Sequence, residues 1–309
     1  MSAEASSSTP RTERSDFQAT SDPALQEGAD RGEVNLLSYE QLYALWERQQ
    51  WAVSDLDFTQ DRVDWHERFD EEERFQRLYG LSSFFVGEQR VAQELGPMMR
   101  AAPTEAQRIF LCTQIADEAR HVAFFDAFYR EVGVYEGSAS LEQRLDAASA
   151  NLNEEFGQLF DEALKARVDR LAVAPDDTEA LVEAVTIYHM VIEGMLALTG
   201  QHFITDYNER EGTLPGFVDG FTKVARDEHR HVAFGARFLR EMVRTDERYR
   251  EAIVRTLGEV GPVAEGVLRP KWMEGIPDDE AELFGFSIAD TRAFALQALT
   301  RRMKVIGLA

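Results

Sequence analysis

The sequence predicts an all-α protein built around a four-helix bundle. From Leu36 almost to the end of the chain, apolar residues recur at spacings of three and four, which is the period of a helix that buries one face. Alternating patterns typical of strands are scarce. Several of the predicted helices exceed about 25 residues, and helices of this length are typical of bundles.

Helix-breaking residues separate the predicted helices. Pro103, Gly133, Pro175 and Pro277 each lie in a break between apolar periodic segments. Residues 1–33 contain almost no large apolar side chains, so we expect a disordered tail followed by one helical domain over residues 34–309. The predicted helices are 38–51, 67–101, 104–132, 140–172, 178–209, 217–244, 247–268 and 286–303.

The composition narrows the possible functions. The formal net charge of −23 argues against nucleic acid as a partner, because phosphate binding needs a basic surface. The sequence shows no secretory leader and no run that approaches the roughly 18 apolar residues of a membrane helix, so we expect no membrane span. The single cysteine, Cys112, cannot form an internal disulfide, and we expect it to be a small buried side chain in a cytoplasmic protein.

An internal repeat indicates the chemistry of the protein. Residues 116–132 and 226–242 are identical at ten of 17 aligned positions, and both contain Asp-Glu-x-Arg-His-Val-Ala-Phe. In each copy a Glu and a His three residues apart share one helix face: Glu118 with His121, and Glu228 with His231. That face is otherwise apolar, and a charged carboxylate on a buried face is costly unless a cation compensates it. The repeat therefore predicts a metal site.

Two further glutamates complete the predicted site. Glu88 and Glu193 lie in apolar segments, 30 residues before Glu118 and 35 residues before Glu228. Two Glu-x-x-His helices, with one Glu from each of two other helices, are the ligand arrangement of dinuclear carboxylate bundles. Four carboxylates balance two divalent ions, and mixed carboxylate and imidazole ligands suit iron or manganese.

Residues beside the ligands are predicted to orient them. Asp117 and Asp227 each precede a ligand Glu, and each could accept the free ring N–H of the opposite histidine. His189 lies four residues before Glu193 and could approach the site. The other three histidines are expected at the surface or in ordinary hydrogen bonds: His66, His202 and His229.

With these six ligands placed, the chain resembles the ribonucleotide reductase small-subunit superfamily over roughly residues 36–305. Trp51, 37 residues before Glu88, also looks like the tryptophan that these subunits carry ahead of their first ligand. The resemblance implies a ferritin-like four-helix bundle core with additional helices.

Two features separate the chain from a typical reductase subunit. Phe125 stands four residues after His121, where the usual subunit has its radical tyrosine. No tyrosine follows Tyr249, whereas a reductase subunit needs a C-terminal tyrosine that passes the radical to its catalytic subunit. The closer resemblance is to the ligand-binding oxidase branch of the superfamily.

The oxidase resemblance implies a cofactor, a ligand and a covalent modification. Such oxidases use dioxygen, carry one manganese and one iron, and hold a long-chain fatty acid at the metals. They also join a valine and a tyrosine by an ether cross-link, and the matching residues here are Val91, three after Glu88, and Tyr188, five before Glu193. Small residues past which the fatty-acid channel could run are Gly194 and Ala197. The implied function is a two-electron oxidase, which we expect to be a homodimer.

Three other functions are open to test. A ribonucleotide reductase small subunit with a manganese–iron or di-iron centre would bind a catalytic subunit. A ferritin-type storage protein would form cages that hold many ions per chain. An N-oxygenase of arylamines would have a further histidine four residues before the last ligand Glu, where this chain has Val224.

Overall fold

A computed structural model describes residues 36–308, so the predicted tail over residues 1–33 lies outside the described residues. From Ser38 onward the chain forms one compact unit. The predicted all-α fold is confirmed, because strand within the described residues is limited to a two-residue hairpin, β1 (Glu282–Leu283) with β2 (Phe286–Ser287).

The helices follow the predicted order with some additional breaks. Short 3-10 turns occupy Val53–Asp55 and Lys271–Met273, and π-helical stretches occupy Asp64–Arg68, Gln158–Leu164 and Thr186–Ala197. The α-helices within residues 36–308 are α1 (Tyr39–Arg48), α2 (Thr59–Val63), α3 (Glu71–Ala101), α4 (Glu105–Val132), α5 (Leu141–Ser149), α6 (Glu154–Gly157), α7 (Lys165–Val173), α8 (Thr178–Val185), α9 (Leu198–Glu211), α10 (Pro215–Thr245), α11 (Glu247–Val267) and α12 (Ile288–Ile306).

Four long helical segments form the bundle. They are α3, α4, α10 and the continuous helix Thr178–Glu211, in which Thr186–Ala197 is π-helical. α3 packs along α4, while α10 packs against the π-helical stretch and α9; α1 lies against α4 and α10. Much of the core between these helices is aromatic, with fully buried rings at Phe85, Phe110, Phe124, Phe125, Phe128, Phe217, Phe221, Phe234 and Phe238.

Side-chain caps set the ends of the bundle helices. α3 begins after Asp70 and not at residue 67, because the Asp70 carboxylate accepts the backbone N–H of Glu73 in a capping box. Thr104 caps α4 in the same way, and Gly133 ends it with a φ of 78°, a left-handed conformation that favours glycine.

The predicted helix 140–172 is wrong, because the chain breaks between α5 and α6. Asn153 causes the break: its side-chain oxygen caps α6 by accepting the N–H of Phe156, 3.0 Å away. The same side chain donates to the carbonyl oxygens of Gly266 and Arg269, each at 3.0 Å, which ties the break to the end of α11.

Two points read from composition are also wrong: that no run is apolar enough for a membrane helix, and that Cys112 is buried. The helix Thr178–Glu211 contains an 18-residue window of mean hydropathy 1.5, so by length and composition it is apolar enough to cross a membrane. However, 89% of that window is buried inside the protein, as expected for the core helix of a bundle. Cys112 is exposed and not buried.

A buried aspartate anchors the start of α10. Asp61, which has no exposed surface, accepts the N–H of Gly216 at 2.9 Å and of Phe217 at 2.7 Å. Asp64 accepts the N–H of Leu214 at 2.8 Å. These bonds satisfy backbone donors that the first turn of a helix leaves free, and they fix the helix that carries two predicted ligands.

We predict that Asp61→Ala lowers the free energy of unfolding by about 1–3 kcal/mol, because two buried N–H groups lose their acceptor. Chemical denaturation of the metal-free protein measures the change. Asp55→Ala, at an exposed position in the 3-10 turn just before α2, is the control and should change stability by roughly 0.5 kcal/mol or less. Equal effects of the two substitutions would contradict the anchoring role.

Candidate metal centre

All six predicted ligands converge inside the bundle. Each of the four helical segments contributes a glutamate, and α4 and α10 each add a histidine one turn further along. None of the six side chains is more than 5% exposed: Glu88, Glu118, His121, Glu193, Glu228 and His231.

Five of the six residues form two groups that share one carboxylate, whereas Glu228 belongs to neither group but lines the same cavity as the other three glutamates. Nδ1 of His121 lies 3.3 Å from Glu88 Oε2 and 3.2 Å from Glu118 Oε2. Nδ1 of His231 lies 3.1 Å from Glu193 Oε1 and 3.3 Å from Glu118 Oε1. Each set of three residues is compact enough to hold one metal ion, and Glu118 belongs to both sets. Glu118 therefore lies where it can bridge two ions.

The outer nitrogen of each histidine faces the aspartate of the other repeat copy. His121 Nε2 lies 3.4 Å from Asp227 Oδ2, and His231 Nε2 lies 3.2 Å from Asp117 Oδ2. A carboxylate accepts the N–H there, which leaves Nδ1 of each ring free to bind a metal. This is the crossed arrangement that the sequence suggested for these aspartates.

Two tryptophans and two arginines also bind the aspartates. Trp46 Nε1 donates to Asp117 at 2.9 Å, and Trp51 Nε1 donates to Asp227 at 2.8 Å. The arginines that contact both aspartates are Arg120 and Arg230. Sequence reasoning missed Trp46 and both arginines, although the repeat places an Arg two residues after each ligand Glu. Two guanidinium groups balance the two aspartates, so the four inner glutamates remain without cationic partners apart from the histidines.

Burial favours protonation of three of the four inner glutamates when no metal is bound. It raises the pKa of Glu88 to about 7 and of Glu193 to about 8, although His121 and His231 oppose the shift. Burial and the neighbouring carboxylates hold the pKa of Glu228 well above its usual range. Burial alone would also raise the pKa of Glu118, but hydrogen bonds with both histidines hold it well below its usual range.

The donor set fits a pair of metal ions. Glu193 Oε2 and Glu228 Oε2 are buried, and neither has a hydrogen-bond partner. An unpaired carboxylate oxygen is costly in the core, and a metal ion is the partner that would satisfy it. Carboxylate and imidazole ligands in this proportion suit iron or manganese, as the sequence indicated.

The remaining candidate residues lie at or near the site. Val91 is buried and lines a cavity together with the site carboxylates, and the Tyr188 hydroxyl donates to Glu118 Oε1 at 2.8 Å. In the π-helical stretch, hydrogen bonds close between residues five apart, so Tyr188 and Glu193 share a face more closely than an α-helix would allow. Ala197 lines the cavity, whereas Gly194 lies against Arg302.

His189 does not bind at the site but contacts it through one residue. Its Nε2 donates to Gln114 Oε1 at 3.1 Å, and Gln114 Nε2 donates to Glu193 Oε1 at 3.1 Å. Burial lowers the pKa of His189 to about 3, which keeps the ring neutral.

We predict that metal binding releases several protons per chain. At pH 7 the metal-free site holds protons on Glu193 and Glu228, and on His121 and His231, whose pKa values the neighbouring carboxylates raise against the effect of burial. Mn²⁺ must displace them, so its affinity should rise with pH across the range from about 7 to about 8 in which Glu88 and Glu193 titrate. Titration of metal-free protein with Mn²⁺, with a pH indicator in weak buffer, measures stoichiometry, affinity and proton release together.

The expected stoichiometry is two ions per chain, one for each ligand group. Glu118→Ala should lose most of the metal, because both groups use this carboxylate. Glu105→Ala, an exposed position at the start of the same helix, is the control and should bind as the wild type does. Binding of at most one ion, or an affinity that does not change with pH, would contradict this description of the site.

Comparison with known proteins agrees with this geometry. The family model of the ribonucleotide reductase small chain matches residues 33–260. A variant of an R2-like ligand-binding oxidase with an anaerobically reconstituted Mn/Fe cofactor is 29% identical, with a TM-score of 0.76 over 88% of this chain and 94% of that chain. Another variant of such an oxidase, with an aerobically reconstituted Mn/Fe cofactor, is 28% identical, with a TM-score of 0.77 over 88% and 95%. The ferritin-like fold is thus confirmed, and the chain belongs to the ribonucleotide reductase small chain family, with a dinuclear carboxylate metal site.

Proposed function

We propose that the protein is a two-electron oxidase that uses dioxygen at a manganese–iron centre and holds a long-chain fatty acid beside the metals. The observation that carries the proposal is the hydrogen bond from the Tyr188 hydroxyl to Glu118, a carboxylate that lines an apolar cavity together with Val91. A phenol, an aliphatic side chain and a ligand-sized cavity thus meet at the metal-binding carboxylates.

The six ligands would hold the two ions in two unequal sets. Glu88 and His121 would serve one ion, Glu193 and His231 would serve the other, and Glu118 belongs to both sets. Glu228 would be the sixth ligand, since its buried Oε2 has no hydrogen-bond partner. Manganese with iron is proposed because the similar oxidases carry that cofactor; a di-iron centre would use the same ligands. When bound, the metal pair supplies two electrons and an oxidant strong enough to break an unactivated C–H bond.

Tyr188 is placed to lose its phenolic proton to Glu118. Burial and the charge of Glu118 keep the pKa of Tyr188 well above its usual range, so the O–H is intact and donated to Glu118 Oε1. Val91 lies three residues after Glu88, one turn along the same face of α3. An ether bond between the two side chains removes one hydrogen atom from each. The two electrons released, with two from the metals, reduce one dioxygen to the level of water, and the two protons go to its oxygen atoms.

The cavity suits a fatty acid with its carboxylate at the metals. It encloses about 930 Å³ including its open mouth. The site glutamates lie at one part of its wall, and Leu283 and Phe284 of the β1–β2 hairpin lie at another. Two trivalent ions would carry six positive charges against four carboxylates, and a hydroxide together with one external carboxylate would restore the balance. Most of the remaining wall is apolar, with Phe84, Phe156, Phe160, Ile192, Leu196, Phe203, Ile204 and Val267 among its residues.

A ribonucleotide reductase small subunit is the second candidate. Trp51 Nε1 donates to Asp227, which faces His121, so a hydrogen-bonded chain links a metal ligand to a half-buried indole. Such a chain offers a path for an electron to a partner protein. Phe125 in place of a radical tyrosine favours the oxidase. Binding of a reductase catalytic subunit, with ribonucleotide reduction by the complex, would favour the second candidate.

We predict an oxygen-dependent ether cross-link between Val91 and Tyr188. Tryptic digestion of protein loaded with manganese and iron in air should yield a branched peptide joining segments 91–100 and 171–210, lighter by two hydrogen atoms than their sum. Anaerobic loading should leave both segments linear. Mass spectrometry of the digests gives the result.

The variants separate the cross-link from metal binding. Val91→Ala and Tyr188→Phe should each abolish the branched peptide and retain both metals. Tyr129→Phe, which alters another fully buried tyrosine, should retain the branched peptide. If the aerobic wild type yields only linear segments while holding both metals, the oxidase proposal loses its support and the reductase-like function gains it.

We predict that the purified protein retains a long-chain fatty acid. Organic extraction followed by mass spectrometry should recover it from the wild type. Ala197→Phe should lose most of it while retaining metal, because the added ring fills the cavity. Leu198→Phe places the same ring at the adjacent residue, which does not line the cavity, and should retain the ligand. Extracts of wild type and Ala197→Phe that do not differ would count against a ligand in this cavity.

A further inference from the structure

We infer that Gln114 and His189 are positioning residues that make the two metal positions unequal and so decide which metal ion occupies each. The inference rests on the manganese–iron centre of the proposed function. It concerns how the ions are sorted and does not depend on the oxidation that follows.

A chain of three buried polar groups ends on one metal ligand. His189 Nε2 donates to Gln114 Oε1, which turns the amide NH₂ of Gln114 toward Glu193 Oε1. Gln114 and His189 have no exposed surface, so water does not compete for these bonds. Gln114 Nε2 and His231 Nδ1 both contact Glu193 Oε1. The other oxygen, Oε2, has no hydrogen-bond partner and is therefore the one left for a metal ion.

The other half of the molecule lacks this chain. Counting from the ligands of the repeat, the counterpart of Gln114 is Val224, four residues before Glu228. The counterpart of His189 is Phe84, four residues before Glu88. Both counterparts are apolar, so neither supplies Glu88 with an equivalent side-chain amide, and Glu88 Oε2 lies 3.3 Å from His121 Nδ1.

The packing around His189 differs from the packing around its counterpart Phe84. Gly235 lies so close to His189 that a Cβ on it would stand 2.3 Å from the His189 Cβ. The repeat places Phe125 at the position that corresponds to Gly235, and Phe125 stacks on Phe84 with ring centroids 6.2 Å apart. One half thus makes room for a hydrogen-bonding imidazole, and the other fills the space with two rings.

The consequence is that Glu193 and Glu88 differ in how freely their carboxylates can turn toward a metal ion. A hydrogen bond to one oxygen of a carboxylate draws charge from it and holds it in one orientation. Glu193 is restricted to binding through the other oxygen, whereas Glu88 is free to rotate or to bind with both oxygens. Manganese and iron differ in affinity for a given ligand set and in tolerance of geometry, so two unlike positions can sort them.

The test measures metal distribution without oxygen. Metal-free full-length protein is loaded anaerobically with equal amounts of Mn²⁺ and Fe²⁺, and anomalous scattering from crystals at both metal edges gives the Mn:Fe ratio at each position. In the wild type each metal should be enriched at one position. Gln114→Leu, which removes the amide, should shift the ratio at the Glu193 position toward an even distribution by roughly tenfold, the usual effect of removing a partner from a metal ligand.

Two further variants test whether the shift in metal distribution is specific to Gln114 and His189. Thr113→Val alters a buried polar neighbour on the same helix that bonds only to the Phe110 carbonyl, and it should leave the wild-type distribution intact. His189→Phe introduces the residue found at the pseudo-equivalent position and should shift the ratio in the same direction as Gln114→Leu; it decides the question if Gln114→Leu fails to fold. Thermal unfolding of each metal-free variant reports folding.

Several outcomes would overturn the inference. They are an even distribution in the wild type, an unchanged distribution in the variants of the pair, or an equal shift in Thr113→Val. A wild type that sorts its metals yet forms no cross-link in air would count against the oxidase proposal alone.

Discussion

The structure depends on the placement of four carboxylates inside a helical core. Glu88, Glu118, Glu193 and Glu228 are nearly inaccessible to solvent, and water cannot stabilise their charge. Without metal, burial favours the protonated forms of Glu88, Glu193 and Glu228, whose pKa values are raised, while both histidines keep Glu118 ionised. Metal ions are the natural counter-charge, so the binding of metal and the ionisation of the site are one equilibrium.

The residues around the histidine ligands hold them in position, and the charges of these residues cancel. Asp117 and Asp227 orient the histidines, and Arg120 and Arg230 neutralise the aspartates. Because the charges of the two aspartates and the two arginines cancel, the four glutamates remain available to a cation. This outer group of residues also crosses between the two copies of the repeat, so each metal position depends on both halves of the molecule.

The pseudo-symmetry of the bundle breaks at the candidate metal ligands. Glu193 lies on a π-helical stretch and is held by Gln114, whereas Glu88 lies on the α-helix α3. The apolar cavity opens at the carboxylates, and Tyr188 reaches them with its hydroxyl group. A duplicated ligand motif is thus joined to unlike surroundings, which a symmetrical bundle could not offer.

The sequence by itself predicted the bundle, the repeat and the six candidate ligands, because helical periodicity and Glu-x-x-His spacing are local properties of the chain. The crossed contacts of Asp117 and Asp227 also followed from their place beside the ligands. Only the tertiary structure decided the break at Asn153, the exposure of Cys112, the π-helical stretch that contains Glu193, and the partners Trp46 and Gln114. Each of these depends on a neighbour that is distant in sequence or on how tightly helices pack, and neither can be read from local spacing.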